Sequence, residues 1–245
     1  MTPPFVGALA VGALTAWIGY AWLPHVMPGR LGRGRATGRR IALTFDDGPD
    51  ERWTPTVLDE LARHGVAATF FLVGERALRA PDLVRSLVAG GHEIGNHGWS
   101  HRSLWLCGPR RTRHEVVHAH HTLAALAGHP PQFFRPPWGM VNAALPAALR
   151  ACGERAVFWS LQPEGLRQVT ADLQVARVLG GAHPGAIVDL HDAEGTPGAP
   201  ARLIEALPRM IAGLRAAGYA LVTVGALLAP ADRGSPAPTN GPGVR

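Results

Sequence analysis

Short apolar segments alternate with longer amphipathic segments between residues 41 and 229. The short segments have the length and the β-branched or aromatic content of strands: residues 41–45, 68–73, 92–95, 156–159, 186–190 and 220–224. The longer segments have the apolar periodicity of helices: residues 54–64, 81–89, 112–127, 142–151, 170–179 and 201–217. This alternation predicts βα units that build a parallel sheet or barrel. In such folds the chemistry lies at the carboxyl ends of the strands.

The segments outside this block have other compositions. Residues 5–23 contain neither charge nor proline, and these 19 residues span about 28 Å as a helix, which matches a bilayer core. We therefore predict a membrane anchor over residues 1–23, formed by one N-terminal transmembrane helix. An Arg/Gly/Pro linker follows at 24–40, and the Pro/Gly/Ser-rich residues 230–245 are typical of a disordered tail. Residues 41–229 remain as one catalytic domain.

The composition predicts a packed core and argues against nucleic acid as a partner. Charged residues make up 17% of the 245 residues and hydrophobic residues 47%, which argues against disorder. The formal net charge is +6, and every basic residue is an arginine. Apart from a cluster at residues 30–40, these arginines are scattered, so no basic face for nucleic acid is predicted. The two cysteines form no disulfide framework or CxxC motif.

Polar side chains follow two of the predicted strands. Asp46 and Asp47 come directly after the first strand, and His97 and His101 follow the third. Asp47, His97 and His101 together form a two-histidine, one-carboxylate set, which suits catalytic zinc and equally the facial triad of non-haem iron oxygenases. Asp46 favours hydrolysis, because a carboxylate beside the metal ligand is placed to take a proton from the attacking water.

Two further segments carry candidate site residues. Arg135, Pro137 and Trp138 lie on a proline-stiffened segment that suits orienting a carboxylate and stacking on a sugar ring. Leu190 and His191 end another apolar strand, and histidine is the side chain best able to donate a proton at neutral pH. His191 is therefore a candidate general acid.

A competing metal motif lies in the third predicted helix. Residues 114–118 read HEVVH, which matches the HExxH motif of zinc metalloproteases. The third ligand that such proteases require is not found at the expected spacing. A metalloprotease is therefore kept as a minor alternative.

Four motifs occur in the order and approximate spacing of the polysaccharide deacetylases, the NodB-type homology domain of carbohydrate esterase family 4. They are TFDDGP at 44–49, HxxxH at 97–101, RPPWG at 135–139 and LHD at 190–192. This resemblance implies a distorted (β/α) barrel that removes N-acetyl or O-acetyl groups from amino sugars of a polysaccharide such as peptidoglycan or a chitin-like oligosaccharide. It also implies Zn²⁺, or another divalent metal such as Co²⁺ or Ni²⁺.

The same resemblance implies a role for each matched residue. Asp46 corresponds to the general base, His191 to the general acid, and Arg135 to the residue that orients Asp46. Asp47, His97 and His101 correspond to the metal ligands. Pro137 belongs to the substrate-binding segment, and Trp138 and Leu190 line the acetyl pocket.

Three departures from the family pattern bear on activity. Gly98 stands where a Ser or Thr is usual, which removes a hydrogen bond from the metal-binding loop. The family's own fourth motif lies between RPPWG and LHD and is normally an Asp followed by an Asp-Trp pair, but here Gln162 and Leu166 stand at the matching positions. Glu164 or Asp192 is therefore expected to take over the pairing with His191. Asp189 interrupts an apolar strand. Because every metal-site position is intact, these departures together favour an atypical substrate over an inactive protein. The altered fourth motif leaves a non-catalytic glycan-binding module on the same fold as the alternative.

The distribution of charge and the family resemblance predict opposite sides of the membrane for the catalytic domain. Five arginines follow the apolar segment and no charged side chain precedes it, so the positive-inside rule favours a cytoplasmic domain. Resemblance to enzymes of the cell wall favours an extracytoplasmic domain held at the membrane through residues 5–23, and this is the location we expect. The sequence sets no oligomeric state.

Overall fold

The computed structural model describes residues 4–26, 38–164, 169–193, 195 and 197–229. The predicted tail at 230–245 and most of the predicted linker, residues 27–37, lie outside the described residues. Leu166 of the fourth motif lies outside them as well.

Strands and helices alternate along the described chain. The strands are β1 (Arg40–Asp46), β2 (Thr69–Leu72), β3 (Glu93–Asn96), β4 (Phe133–Phe134), β5 (Arg155–Ala156), β6 (Ile187–His191) and β7 (Ala220–Val222). The α-helices are α1 (Pro4–Trp17), α2 (Leu23–Val26), α3 (Thr54–Arg63), α4 (Gly74–Arg79), α5 (Pro81–Ala89), α6 (Pro109–Ala127), α7 (Leu145–Cys152), α8 (Ala171–Gly181), α9 (Ala199–Ala216) and α10 (Val224–Leu228). A π-helical turn, Ile18–Trp22, separates α1 from α2, and two 3-10 turns span Leu104–Leu106 and Pro137–Gly139.

All seven strands lie in one parallel sheet. The order is β5-β4-β3-β2-β1-β6, and β7 pairs with the beginning of β1. After β5 the chain returns to the other edge, where Leu161 forms a parallel bridge with Val188 of β6. The parallel α/β prediction is confirmed, and the barrel takes the form of a parallel half-barrel.

The two faces of the sheet have different roles, as β1 illustrates. Leu43 and Phe45 belong to the large core between the sheet and the surrounding helices. Ala42 belongs to a second, inner cluster that contains Phe71, Phe133, Val157, Ile187, Val224 and Leu227. Because side chains alternate along a strand, Thr44 and Asp46 point to the inner side with Ala42. The inner face therefore carries apolar side chains below and polar side chains above.

Helix α10 closes the lower end of this interior. The backbone N–H of Val224 donates to Oγ1 of Thr69 at 2.8 Å, and that of Gly225 donates to the carboxylate of Glu93. Thr69 and Glu93 are the first residues of β2 and β3, so α10 lies at the amino ends of the strands. The opposite end, where the strands finish, is left for the site.

The segment predicted to cross a membrane is not one long α-helix. Helix α1 has 14 residues and ends at Trp17, where the hydrogen-bond pattern changes to that of the π-helical turn. Among the described residues, none of the helices combines the length and apolar character needed to cross a bilayer. The prediction of an N-terminal transmembrane helix over residues 5–23 is therefore not supported.

The end of this segment instead packs on the domain. The hydroxyl group of Tyr20 donates to the carbonyl oxygen of Cys107 at 2.9 Å, and the carbonyl oxygen of Tyr20 accepts from the N–H of Ala143 at 2.8 Å. The Trp17 ring meets the Trp105 ring edge-on, with centroids 5.4 Å apart. These contacts hold the N-terminal helix against the turn before α6.

Candidate active site

The ends of three strands bring the candidate residues to one edge of the sheet. β1 ends at Asp46 and β6 ends at His191, and these two residues are partners in the parallel register. β3 ends at Asn96, so His97 follows it directly. Because parallel strands finish at the same edge, residues far apart in sequence meet there.

Asp47, His97 and His101 converge on one point. Nε2 of His101 and Nε2 of His97 lie 2.8 and 3.3 Å from Oδ1 of Asp47, and the ligand atoms of the three residues lie within 4.8 Å of one another. Oδ1 of Asp47 is buried and accepts no hydrogen bond of acceptable geometry. A buried oxygen left unpaired between two imidazole nitrogens is what a divalent cation would satisfy. The residues present therefore fit the predicted metal centre.

The hydrogen bond behind His97 sets its tautomer. Nδ1 of His97 lies 2.7 Å from the carbonyl oxygen of Arg135. Because a carbonyl oxygen only accepts, Nδ1 carries the hydrogen and Nε2 can present a lone pair to a metal. Asp46 and Asp47 raise the pKa of His97 against the effect of its burial. A proton and a metal therefore compete for this ring.

The carboxylate of Asp47 is held in its ionised form. Burial by itself raises the pKa of Asp47, but the adjacent rings of His101 and His97 hold that pKa well below its usual range. The backbone carbonyl oxygen of Asp47 accepts from Arg76 Nη1 at 2.7 Å. Asp47 is thus held as an anion at neutral pH, the form that binding a metal ion would require.

Backbone strain is concentrated at this edge. Among the described residues, the non-glycine residues with positive φ are Asp47 (73°), His101 (53°) and Trp138 (55°). Such conformations are costly for L-residues and persist only where the surroundings enforce them. Gly48 adds a close approach, because a Cβ there would lie 2.5 Å from the carboxylate oxygens of Asp192. The turn after β1 is therefore shaped by the site.

The loop that carries the two histidines is held without a side chain at Gly98. The N–H of Gly98 donates to Oδ1 of Asn96 at 2.9 Å, and Ser100 donates to Glu115 through its N–H at 2.8 Å and its Oγ at 2.9 Å. Gly98 has a φ of +84°, which a Ser or Thr rarely adopts. The hydrogen bonds donated by Gly98 and Ser100 thus hold this loop, although Gly98 has no side-chain hydroxyl group.

Those contacts also decide against the HExxH alternative. Glu115 is buried and accepts from Ser100 and Arg111, so it faces the loop and not a shared ion. His114 and His118 are exposed, with their rings 6.4 and 4.1 Å from that of Trp99. Among the described residues, the group of three or more side chains able to hold a metal is Asp47, His97 and His101. The metalloprotease alternative is not supported.

Arg135 connects Asp46 to the interior. Its side chain is fully buried, and Nη1 donates to Oδ1 of Asp46 at 2.7 Å. The guanidinium lies 4.2 Å from the centre of the Phe71 ring, which supports it from one side. Oδ2 of Asp46 lies 3.8 Å from Nε2 of His97. Arg135 therefore holds one oxygen of Asp46, and the other oxygen lies beside the cluster of potential metal ligands.

His191 is paired with Glu164. Nδ1 of His191 makes a short hydrogen bond with Oε2 of Glu164. Burial opposes charge on the imidazole, but Glu164 and the nearby carboxyl groups of Asp189 and Asp46 raise the pKa of His191 well above its usual range. Of the two substitutes considered for the fourth motif, Glu164 takes this place. Asp192 accepts instead from Thr54 at 2.6 Å.

The three residues predicted to bind substrate lie in different environments. Trp138 is 54% exposed beside His101, with the ring centres 4.3 Å apart, so part of its ring faces solvent at the site. Pro137 is buried at the start of its 3-10 turn. Leu190 lies in the helix-side core, on the face of β6 opposite His191, because side chains alternate along a strand. The structure therefore does not bring the Leu190 side chain to the site.

Comparisons with known proteins agree with this geometry. Residues 33–157 match the family model described as Polysaccharide deacetylase. The chain is 38% identical over 188 residues to a peptidoglycan-N-acetylglucosamine deacetylase of Bacillus cereus, covering 75% of this chain. It is 39% identical over 155 residues to a chitooligosaccharide deacetylase of Bradyrhizobium, covering 63% of this chain and 71% of that protein.

A solved structure has the same architecture. The crystal structure of the Bc1960 peptidoglycan N-acetylglucosamine deacetylase matches with a TM-score of 0.77 at 34% identity, over 81% of this chain and 92% of that one. The chain spans less than two thirds of the length of the first relatives it matches: 66% of the Bacillus cereus protein and 38% of a Listeria monocytogenes deacetylase.

Proposed function

This chain belongs to the polysaccharide deacetylase family, and from that membership we propose that it is a metal-dependent hydrolase that removes acetyl groups from amino sugars of a glycan. One observation carries the proposal. The two adjacent carboxylates at the end of β1 face different partners: Asp47 faces His97 and His101, whereas Asp46 is oriented by Arg135. This separation provides both a metal ligand and a free base.

The substrate class follows from the relatives. Their names specify peptidoglycan N-acetylglucosamine and chito-oligosaccharide, which share an N-acetylated glucosamine unit. We propose such a unit as the substrate, with an O-acetyl group as the alternative. The exposed Trp138 supports this proposal, because an aromatic face beside the site suits a pyranose ring.

The chain's own residues divide the proton transfers between them. Asp47, His97 and His101 would hold Zn²⁺, with Co²⁺ or Ni²⁺ as alternatives, and the ion would polarise the acetyl carbonyl group. Asp46 takes a proton as the water oxygen bonds to the carbonyl carbon. His191 gives its proton to the sugar nitrogen as the carbon–nitrogen bond breaks, which leaves acetate and a free amine. The raised pKa of His191 keeps that proton available at neutral pH.

Replacing Asp46 with Asn tests the assignment of the base. We expect kcat for acetate release from acetylated chito-oligosaccharides to fall by about 10²–10⁴-fold, because the amide cannot take the proton. Zinc content of the purified protein should stay at the wild-type value, since Asp46 is not among the three ligands. Asp59→Asn, on the exposed side of α3, is the matched control and should leave kcat unchanged. Full activity of Asp46→Asn would exclude Asp46 as the base.

The same assay separates an enzyme from a glycan-binding module. The altered fourth motif is the feature that favours a module, because Gln162 donates to Asp189 and offers no charge to His191. A zinc-loaded protein that retains glycans on an affinity column but releases no acetate would establish the module.

For localisation, we propose that the domain acts outside the cytoplasm and that residues 5–23 associate with a membrane surface. Peptidoglycan in the relatives' names supports the first part. Exposed apolar side chains along the N-terminal helical segment support the second: Val11, Leu14, Trp17, Ile18, Trp22 and Leu23. Co-sedimentation with lipid vesicles that persists in Leu14→Asp would contradict the membrane contact. Complete protection of the domain from protease added to spheroplasts would contradict the location.

A further inference from the structure

Asp189 is a buried carboxyl group that the proposed reaction does not use. It lies in the middle of β6, is 1% exposed, and is the register partner of Thr44 on β1. Two residues later the strand ends at His191, so Asp189 and His191 point to the same side of the sheet. A carboxyl group in an otherwise apolar strand is costly to bury unless a specific partner compensates.

That partner is the arginine that also holds Asp46. Nη1 of Arg135 donates to Oδ1 of Asp46 and to Oγ1 of Thr44, both at 2.7 Å, and to Oδ1 of Asp189 at 3.2 Å. A guanidinium nitrogen carries two hydrogens, so three oxygens share them. The direction of each N–H, including the one that reaches Asp46, depends on where the other acceptors lie.

Asp189 is itself fixed from the other side. Nε2 of Gln162 donates to Oδ2 of Asp189 at 3.2 Å. Gln162 follows Leu161, which forms the bridge between the returning chain and β6, so its position is set by the sheet. The chain Gln162, Asp189, Arg135 and Asp46 is thus a continuous series of hydrogen bonds through the interior.

The acceptor oxygen matters more in this series than a full negative charge. Burial raises the pKa of Asp189 to about 7, Asp46 adds to that rise, and His191 and Arg135 oppose it. The hydrogen bond from Arg135 needs only a lone pair on Oδ1, which the carboxyl group can offer in its ionised and in its neutral form. An amide oxygen in the same place offers the same acceptor.

We propose that Asp189 is a positioning residue, which holds the Arg135 guanidinium as its second carboxyl acceptor and thereby aims the N–H that orients Asp46. This rests on the proposed function only for the consequence in catalysis. The arrangement of Arg135 itself is independent of any substrate.

The kinetic test compares two replacements of Asp189. Asp189→Leu fits an apolar strand but removes the acceptor, and we expect kcat to fall by about 10–100-fold with KM for the acetylated oligosaccharide within about twofold of wild type. Asp189→Asn keeps the acceptor and should recover most of kcat. Glu93→Gln is the matched control, a half-buried carboxyl group at the amino ends of the strands that accepts from Thr69 and Gly225, and should leave kcat unchanged. Wild-type kcat in Asp189→Leu, or an equal loss in Leu and Asn, would overturn the proposal.

A double-mutant cycle adds a readout that general destabilisation would not produce. In an Arg135→Gln background, Asp189→Leu should cause no further loss of kcat, because the interaction it removes is already absent. If the double variant instead loses kcat by the product of the two single-variant factors, Asp189 acts independently of Arg135.

A spectroscopic test works without activity or metal. In ¹⁵N spectra of the metal-free protein, we expect restricted rotation of the Arg135 guanidinium in the wild type and in Asp189→Asn, and faster rotation in Asp189→Leu. Identical rotation in all three would overturn the proposal. Should Asp189→Leu fail to fold, Asp189→Val, smaller and β-branched, takes its place in both tests. A wild type that releases no acetate refutes the proposed function alone, since the spectra still decide the role of Asp189.

Discussion

At the scale of single residues, the proposed proton transfers depend on which charged partner each of Asp46 and His191 has. Asp46 faces Arg135, and His191 faces Glu164. Asp46 and His191 lie at the ends of neighbouring strands, so in the proposed reaction Asp46 would accept a proton and His191 would donate one. The pairing of His191 is the part most directly open to a titration experiment.

Glu164→Gln should move the alkaline limb of the pH profile. The charge of Glu164 raises the pKa of His191, and the protonated imidazole is the form that donates. Removing the charge lowers that pKa, so kcat is lost at a lower pH than in the wild type. Acetate release measured between about pH 6 and pH 10 checks this. Glu205→Gln, exposed on α9, is the control, and an unshifted limb in Glu164→Gln would argue against His191 as the acid.

At the scale of elements, a buried polar cluster joins α6 and the start of β5 to the end of β3. Asn96 donates to both carboxylate oxygens of Glu154 at 3.1 Å, and Nδ1 of His120 lies 2.7 Å from Oε1 of Glu154. Asn96 also holds the N–H of Gly98. The cluster thereby supports the loop of His97 and His101 from behind.

The pH dependence of stability tests this cluster. Burial raises the pKa of Glu154 from 4.5 to about 8, although the Asn96 hydrogen bond opposes the rise. Its contribution to stability is therefore full below about pH 4.5 and lost as the pH rises through about 8. We expect the Tm of metal-free wild type to fall relative to that of Glu154→Gln across this range, by a few degrees. Parallel Tm curves for the two proteins would contradict the burial of an acid in this place.

Most of the elements follow from local patterns, and the exceptions have physical causes. β1, β2, β3, β6 and β7 lie within one residue of the predicted strands, apart from the end of β7, because each has an apolar pattern of its own. β4 was not predicted, since two phenylalanines between prolines and an arginine are too short to show a period. The predicted strand at 156–159 is reduced to Arg155–Ala156, because the chain then leaves to join the other edge of the sheet.

At the scale of the whole molecule, stability and chemistry occupy opposite ends of the half-barrel. Helix α10 and the cluster residues Ala42 and Ile187 lie toward the amino ends of the strands, whereas the candidate site lies at their carboxyl ends. Phe71 belongs to the same cluster but lies level with Asp46, where it supports Arg135. Residues of the cluster come from several strands and from α10, so it links the beginning of the domain to its last helix. Damage at the closed end is therefore expected to leave the site unchanged.

Leu227→Ala measures this separation. Leu227 is fully buried in the inner cluster, and removing its side chain should destabilise the domain by about 2–5 kcal/mol and lower Tm by roughly 5–15 °C. At a temperature where the variant remains folded, kcat should equal that of wild type. Leu173→Ala, on an exposed position of α8, is the control for Tm. A large loss of kcat in folded Leu227→Ala would show that the two ends are coupled.

Local sequence patterns were enough to predict the parallel α/β class, the cluster of Asp47, His97 and His101, and the position of Asp46 beside it, because periodicity marks the strands and parallel strands bring their ends together. Folding of the whole chain pairs Glu164 with His191 and places Asp189 and Asp46 on the same arginine, Arg135. It also decided that residues 5–23 do not form one long α-helix and that Tyr20 packs on the domain. These features depend on how side chains from distant elements fill one buried space, and a local pattern of apolar and polar residues does not encode that packing.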